Sequence, residues 1–130
     1  MVYAELHCVS NFTFLRGASH PQELVRTAST LGYSALAITD ECSLAGVVKA
    51  HVAAQDCNLQ LIVGSEFHLE GQRLIALVSN RQSYAELSAL ITTARRRSSK
   101  GEYQLEWTDL SGNLPNTLLI WLPSGDLEPD

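Results

Sequence analysis

At 130 residues and 14.2 kDa the chain suits one compact domain that buries roughly two-thirds of its unfolded surface, and leaves no room for a second. Apolar residues at 45%, charged residues at 18% and a mean hydropathy of +0.01 exclude a disordered or fibrous polymer. A net charge of -5 and a pI near 5.3 weigh against strong nucleic-acid binding by this chain alone.

Met1 to His7 shows neither a basic leader nor a continuous apolar stretch, and no later run approaches the roughly 18 apolar residues of a membrane span. The expectation is a protein neither secreted nor membrane-spanning. Cys8, Cys42 and Cys57 are odd in number and form no Cys-x-x-Cys pair, so neither a disulfide framework nor a thiolate zinc site is indicated. A reducing cytoplasm fits best.

In chain order, Tyr3 to Cys8 alternates as a short strand, and Asn11, Gly17 and Ser19 mark a loop after it. Ser19-His20-Pro21-Gln22-Glu23 opens a helix with proline in its first turn; Leu24, Val25, Ala28 and Leu31 follow at helical spacing, and Gly32 stops it. Ala35 to Thr39 reads as a buried parallel strand ending in Asp40-Glu41-Cys42-Ser43. A second helix runs from Leu44 to Gln55 on Leu44, Val47, Val48, His51 and Val52, with a packing role expected for His51. Leu59 to Val63 is the third apolar run, ending at Gly64-Ser65-Glu66, and Phe67 to Leu69 pairs across a turn at Gly71 with Leu74 to Val78. Tyr84, Leu87, Leu90, Ile91 and Ala94 define a third helix that runs into Arg95-Arg96-Arg97, cations placed where the helix dipole favours them. Thr117 to Leu122 is a last strand, and Trp107 and Trp121 are expected to pack in the core or an interface.

Strands alternating with helices at this spacing predict an α/β protein built of parallel β/α units with right-handed crossovers. Ligands of such folds gather at the carboxyl ends of the strands, here His7 to Ser10, Asp40 to Ser43 and Gly64 to Glu66. A histidine, an aspartate and two glutamates at successive strand ends are the materials of a metal-dependent hydrolase, in which imidazole and carboxylate hold a cation that activates water. Polar strand ends also cap loops, so spacing alone leaves both readings open. His68, two residues past Glu66, shares its face in a strand and is a reserve candidate. Phe12 and Phe14 are expected to pack under the first loop, and Cys8 and Cys42 to act as small buried fillers.

Three ordered strings carry a specific resemblance: Glu5-Leu6-His7-Cys8-Val9-Ser10-Asn11-Phe12-Thr13-Phe14-Leu15-Arg16-Gly17-Ala18-Ser19, then Ala37-Ile38-Thr39-Asp40-Glu41-Cys42-Ser43-Leu44-Ala45-Gly46, then Ile62-Val63-Gly64-Ser65-Glu66. They resemble the PHP (polymerase and histidinol phosphatase) domain that begins bacterial DNA polymerase III alpha subunits, above all the error-prone, damage-inducible alpha-like polymerases. The resemblance covers most of residues 2 to about 122 and implies a PHP-like domain over 1–122 with a tail over 123–130. It also implies about half of a distorted seven-stranded β/α barrel, since eight-stranded barrels need about 250 residues.

Metal-binding members carry His-x-His at the first strand end, where this chain has His7 and Val9. The aspartate of the next motif stands as Arg16, the histidine of the Thr-Asp-His motif as Glu41 after Asp40, and the histidine opening the following strand as Arg73. His7 and Glu66 alone match. Valine has no lone pair and arginine is a permanent cation, so the pattern implies a degenerate site with no cofactor and no trinuclear cluster. Its pocket comprises His7, Val9, Arg16, Asp40, Glu41, Glu66 and Arg73, with Arg16 and Arg73 pairing Glu41 and Glu66 in place of cations.

The resemblance further implies a structural and interaction module of a polymerase engaged in DNA repair or translesion synthesis, inactive by itself. Its partners would be the rest of the polymerase, repair proteins, DNA through the intact parent, and a second copy through an exposed sheet edge, with no membrane. Arg95, Arg96, Arg97 and Lys100 are candidate phosphate contacts. The rival readings are a surviving phosphoesterase that uses zinc, manganese or magnesium at His7, Asp40, Glu41 and Glu66, with His68 in reserve, and a non-catalytic protein-interaction module.

Overall fold

The computed structural model describes residues 3–13, 17, 19–99 and 101–122. The elements are β1 (Ala4–Cys8), α1 (Pro21–Thr30), β2 (Ala35–Ile38), α2 (Val47–Cys57), β3 (Gln60–Leu69), β4 (Gln72–Leu77), α3 (Arg81–Arg96), α4 (Trp107–Leu110) and β5 (Leu118–Leu122). Phe14, Arg16, Lys100 and the 123–130 tail, all named above, lie outside the described residues.

The five strands form one sheet in chain order. β1, β2 and β3 are parallel, because α1 and α2 supply the crossovers that parallel neighbours require. The expected α/β half-barrel is present, with its parallel units confined to these three strands. β4 returns antiparallel to β3 and β5 antiparallel to β4, giving a mixed sheet. Glu70 and Gly71 both take positive φ (49° and 79°), so Leu69 pairs directly with Gln72 across a two-residue turn of the mirror-image kind that suits sheet twist. A helix between two strands does not force them parallel. After α3, residues 97–117, with the short α4 that periodicity did not foresee, bring the chain back to the end of the sheet where β4 finishes, and Leu118 opens β5 opposite Leu77.

Helix ends follow local chemistry. His20 caps α1, Pro21 fills the first helical position where no N–H is needed, and the Glu23 carboxylate accepts the His20 N–H at 2.9 Å. Asn80 caps α3 and accepts the Ser83 N–H at 2.8 Å, while the Ser83 hydroxyl accepts the Asn80 N–H at 2.9 Å. α2 buries Ala50, Ala53 and Ala54 rather than its valines: Val48 is 73% exposed, Val52 is 54% exposed and His51 lies in solvent. Small alanines let α1 and α2 approach closely over Val25, Ala28, Leu36 and Ile38, and that closeness outweighs the larger side chains one position away.

The two faces of β3 differ, as the two-residue period of a strand demands. Phe67 and Leu69 point under α3 and pack with Leu74, Ala76, Leu87, Leu90 and Ala94. Full burial of side chains such as Phe67 and Leu87 contributes roughly 1.5–3 kcal/mol each. On the opposite, inner face, Ile75 and Leu77 join Ala37, with Ile62, Ile120 and Leu122 packed against them. The two tryptophans form a half-exposed pair on the surface, ring centroids 5.3 Å apart, with the Trp107 indole N–H donating to Glu70. They are therefore not core residues.

Candidate functional site

Sequence periodicity ends a strand before Gly64-Ser65-Glu66, yet β3 runs unbroken through these residues. Its first four residues pair with β2 and its last six with β4, so the ladder changes partner at Gly64 without interruption. Beyond β2 the chain stays alongside: the Glu66 N–H donates to the Asp40 carbonyl at 3.0 Å, and the Cys42 N–H donates to the Glu66 carbonyl at 2.8 Å. Glu66 is thus fixed within a strand and fully buried, not on a loop tip.

A buried carboxylate is costly unless charge and hydrogen bonds compensate it. Two imidazoles do so here. His7 Nε2, at the end of β1, lies 2.5 Å from Glu66 Oε1, and His68 Nε2 lies 2.6 Å from Glu66 Oε2. A register shift in β1 between Glu5 and Cys8 precedes this contact, and such irregularities re-aim side chains. Glu41 Oε2 lies 3.7 Å from His68 Nε2, and the Tyr103 hydroxyl donates to the same oxygen at 2.5 Å. That hydroxyl in turn accepts the His68 N–H at 2.9 Å.

The expected convergence of His7, Glu41 and Glu66 is therefore present, and His68 joins them. Asp40 has a different task. It is 2% exposed, and its carboxylate accepts the Ser10 N–H and hydroxyl, both at 2.6 Å, and the Thr13 hydroxyl at 2.8 Å. This ties down the loop after β1, where a Cβ on Gly17 would fall 1.9 Å from the Ser10 carbonyl oxygen, a contact only glycine permits. Val9, on the same loop, offers no donor atom. Arg73 lies on β4 directly opposite His68.

Tyr103 is the site residue that sequence reasoning missed, and Arg95, named there only as a candidate phosphate contact, belongs to the site as well. Arg95 donates from Nε and Nη2 to the Cys42 carbonyl at 3.2 and 3.0 Å and from Nη1 to the Glu102 carbonyl at 3.2 Å, and it stacks 5.3 Å from the Tyr103 ring centroid. It braces a turn in which Cys42 is held at φ 45°. Arg97 is also engaged, forming a two-pronged pair with Asp109. Of the basic run, Arg96 is exposed. Phe12, half exposed and not packed under the loop, lines an open cavity of about 850 Å³ with Thr13, Glu41, Arg95, Glu102 and Tyr103. Burial pushes the Cys8 and Cys42 thiols up to about 11, consistent with inert fillers and not nucleophiles. Burial and the Glu41 contact likewise raise the Tyr103 phenol, which stays protonated and donating.

The donor set is chemically suited to a divalent cation. Glu41, Glu66 and His68 offer ligand atoms within 4.8 Å of one another, and His7 approaches from the other side of Glu66. Two carboxylates and the His68 imidazole are donor types that suit one zinc-like or manganese-like ion, with His7 hydrogen-bonded to the opposite oxygen of Glu66. Among the described residues, the Asp40 carboxylate is taken up by Ser10 and Thr13, and the Val9 side chain offers no lone pair.

Comparison with known proteins accords with this geometry. Residues 5–119 match the PHP domain. The chain is 60% identical over 124 residues to an error-prone DNA polymerase of Saccharophagus degradans, and 58% identical over 127 residues to one of Teredinibacter turnerae. These matches cover 95% and 97% of the chain but 12% of each relative, so the chain spans about an eighth of their length. Among solved structures, a protein from Bifidobacterium adolescentis described as a metal-dependent phosphoesterase superposes with a TM-score of 0.59 at 24% identity, covering 86% of this chain and 43% of that one. An amidohydrolase from Chromobacterium violaceum, solved with sulfate and no metal, gives the same TM-score at 22% identity over 72% of this chain and 33% of that one. At such identities the likeness speaks for the fold alone. The match over residues 5–119 takes in nearly the whole sheet and every residue of the His7, Glu41, Glu66 and His68 group, and on it the chain belongs to the PHP domain family.

Proposed function

We propose that the chain is the N-terminal PHP module of an error-prone DNA polymerase that works in DNA repair or translesion synthesis in the cytoplasm, with a structural and interaction role and no catalysis of its own. The observation that carries this reading is 60% identity sustained over 95% of the chain. The site is degenerate with respect to a metal cluster, and Asp40 serves the fold instead of a cation. Among the described residues no helix is long and apolar enough to cross a membrane. The partners are the rest of the polymerase and, through it, DNA; β5, an outer strand of the sheet, is the edge on which a second copy would pair.

One grouping favours a second reading, a metal-dependent phosphoesterase: Glu41, Glu66 and His68 lie together, with His7 beside them. Glu41, Glu66 and His68 would hold one ion, zinc, manganese or magnesium, and a bound ion supplies Lewis-acid polarisation and an activated water. Glu66 orients both imidazoles, and Tyr103 donates a proton to Glu41 Oε2, the oxygen that faces His68. The test is elemental analysis after dialysis against zinc and manganese, alongside hydrolysis of a phosphomonoester. The expected result is no more than one ion per chain and no turnover; turnover abolished by Glu66→Gln would instead establish the phosphoesterase.

A further inference from the structure

Glu41 reaches the group from the segment after β2, where a bridge to Glu66 fixes its backbone and leaves its side chain to be oriented. Two residues from a distant part of the chain do that work. The Tyr103 hydroxyl donates to Glu41 Oε2, accepts the His68 N–H and so spans the two residues that flank Glu66. Behind it, Arg95 of α3 stacks on the phenol ring and donates to the Cys42 carbonyl, and Phe67 meets the ring edge-on at 6.4 Å between centroids. The phenol is therefore gripped on its ring and committed at its oxygen, an arrangement with few alternative rotamers. Partners of ligands that are themselves not ligands commonly fix ligand orientation in this way.

We propose that Tyr103, braced by Arg95, is a positioning residue that sets Glu41 as the third protein donor of a single divalent-cation site formed with Glu66 and His68. The proposal rests on the one-ion fit described above and goes beyond it, because it assigns control of the site to α3 and the segment after it. Tyr103 does not touch the ion; it acts through Glu41.

The probe is cobalt(II), titrated into the 130-residue chain and followed by its visible absorbance, whose intensity reports coordination geometry, with thermal melting of the metal-free chain measured alongside. Tyr103→Phe keeps the ring and its stack and loses the hydroxyl. The expected result is a loss of about 10- to 100-fold in cobalt affinity, the range seen when such supporting partners are removed, with an altered spectrum. Glu66→Gln abolishes binding. In a Glu41→Ala background the Tyr103→Phe change has no further effect on affinity, which separates positioning of Glu41 from a general loosening of the fold. If Tyr103→Phe does not fold, Arg95→Gln, which leaves the phenol in place and removes its brace, gives the same test with a smaller loss. Equal cobalt affinity in wild type and the variants overturns the positioning role alone. A wild-type chain that binds no cobalt overturns both the role and the one-ion site.

Discussion

The two faces of β3 work against different partners. Outward, Phe67 and Leu69 sit in a dry core beneath α3, where each contact is apolar and replaceable by another of similar volume. Inward, Glu66 and His68 belong to a network in which each polar atom needs a specific partner. Adjacent residues of one strand thus separate what holds the sheet together from what gives it chemistry. The strand is common to both, so damage to the first is felt by the second, whereas damage to the second need not unfold the first.

The largest expected effect comes from breaking the dry side. Phe67→Ala removes a fully buried ring and costs about 3–5 kcal/mol in denaturant unfolding, enough to remove most of the stability of a domain this size. A loss under about 1 kcal/mol would mean that α3 does not press on β3 as described. Next, Asp40→Ala deletes the acceptor of three hydrogen bonds and leaves the Ser10 and Thr13 donors buried, at a cost of about 3 kcal/mol. Amide exchange should quicken first in residues 10–13, and unchanged protection there would return Asp40 to the candidate ligands. The smallest effect lies outside both faces, where the hydrogen bonds from Arg97 hold the Asp109 carboxyl below the usual carboxylate range. A depressed folded pKa stabilises above the unfolded value and is lost as pH falls through the folded one. Wild type should therefore exceed Asp109→Asn in urea at pH 7, with the gap closing on acidification below about pH 4. A gap independent of pH would show that the pair contributes shape and no charge linkage.

Much of this was legible in the sequence. Strand ends in parallel β/α units meet at one end of a sheet, and that rule alone brought His7, Glu41 and Glu66 together. The two-residue period put His68 on the face of Glu66. Tyr103 was not legible, because 37 residues separate it from Glu66 and the segment that carries it has neither helical nor strand period. Arg95 was visible as the basic end of a helix, but a sequence does not say whether such a cation faces solvent or a strained turn. The exposed Val48 and Val52 misled for a related reason: apolar period identifies a helix, while the face it buries depends on how closely its neighbour can approach, which here the alanines decide. Arg16, the expected substitute for a metal charge, lies outside the described residues.

The turn at Glu70-Gly71 sets an order of events. Leu69 meets Gln72 across two residues, whereas Ala4 must find Ala35 across the whole of α1. Closing a long loop carries more entropic cost than closing a short one, so the hairpin is available to nucleate folding and β1 docks afterwards. During synthesis β1 is made first and waits for its neighbour. His7, the imidazole that β1 contributes, therefore reaches Glu66 only once β1 has docked beside β2, and its contact reports that the parallel part of the sheet is in place.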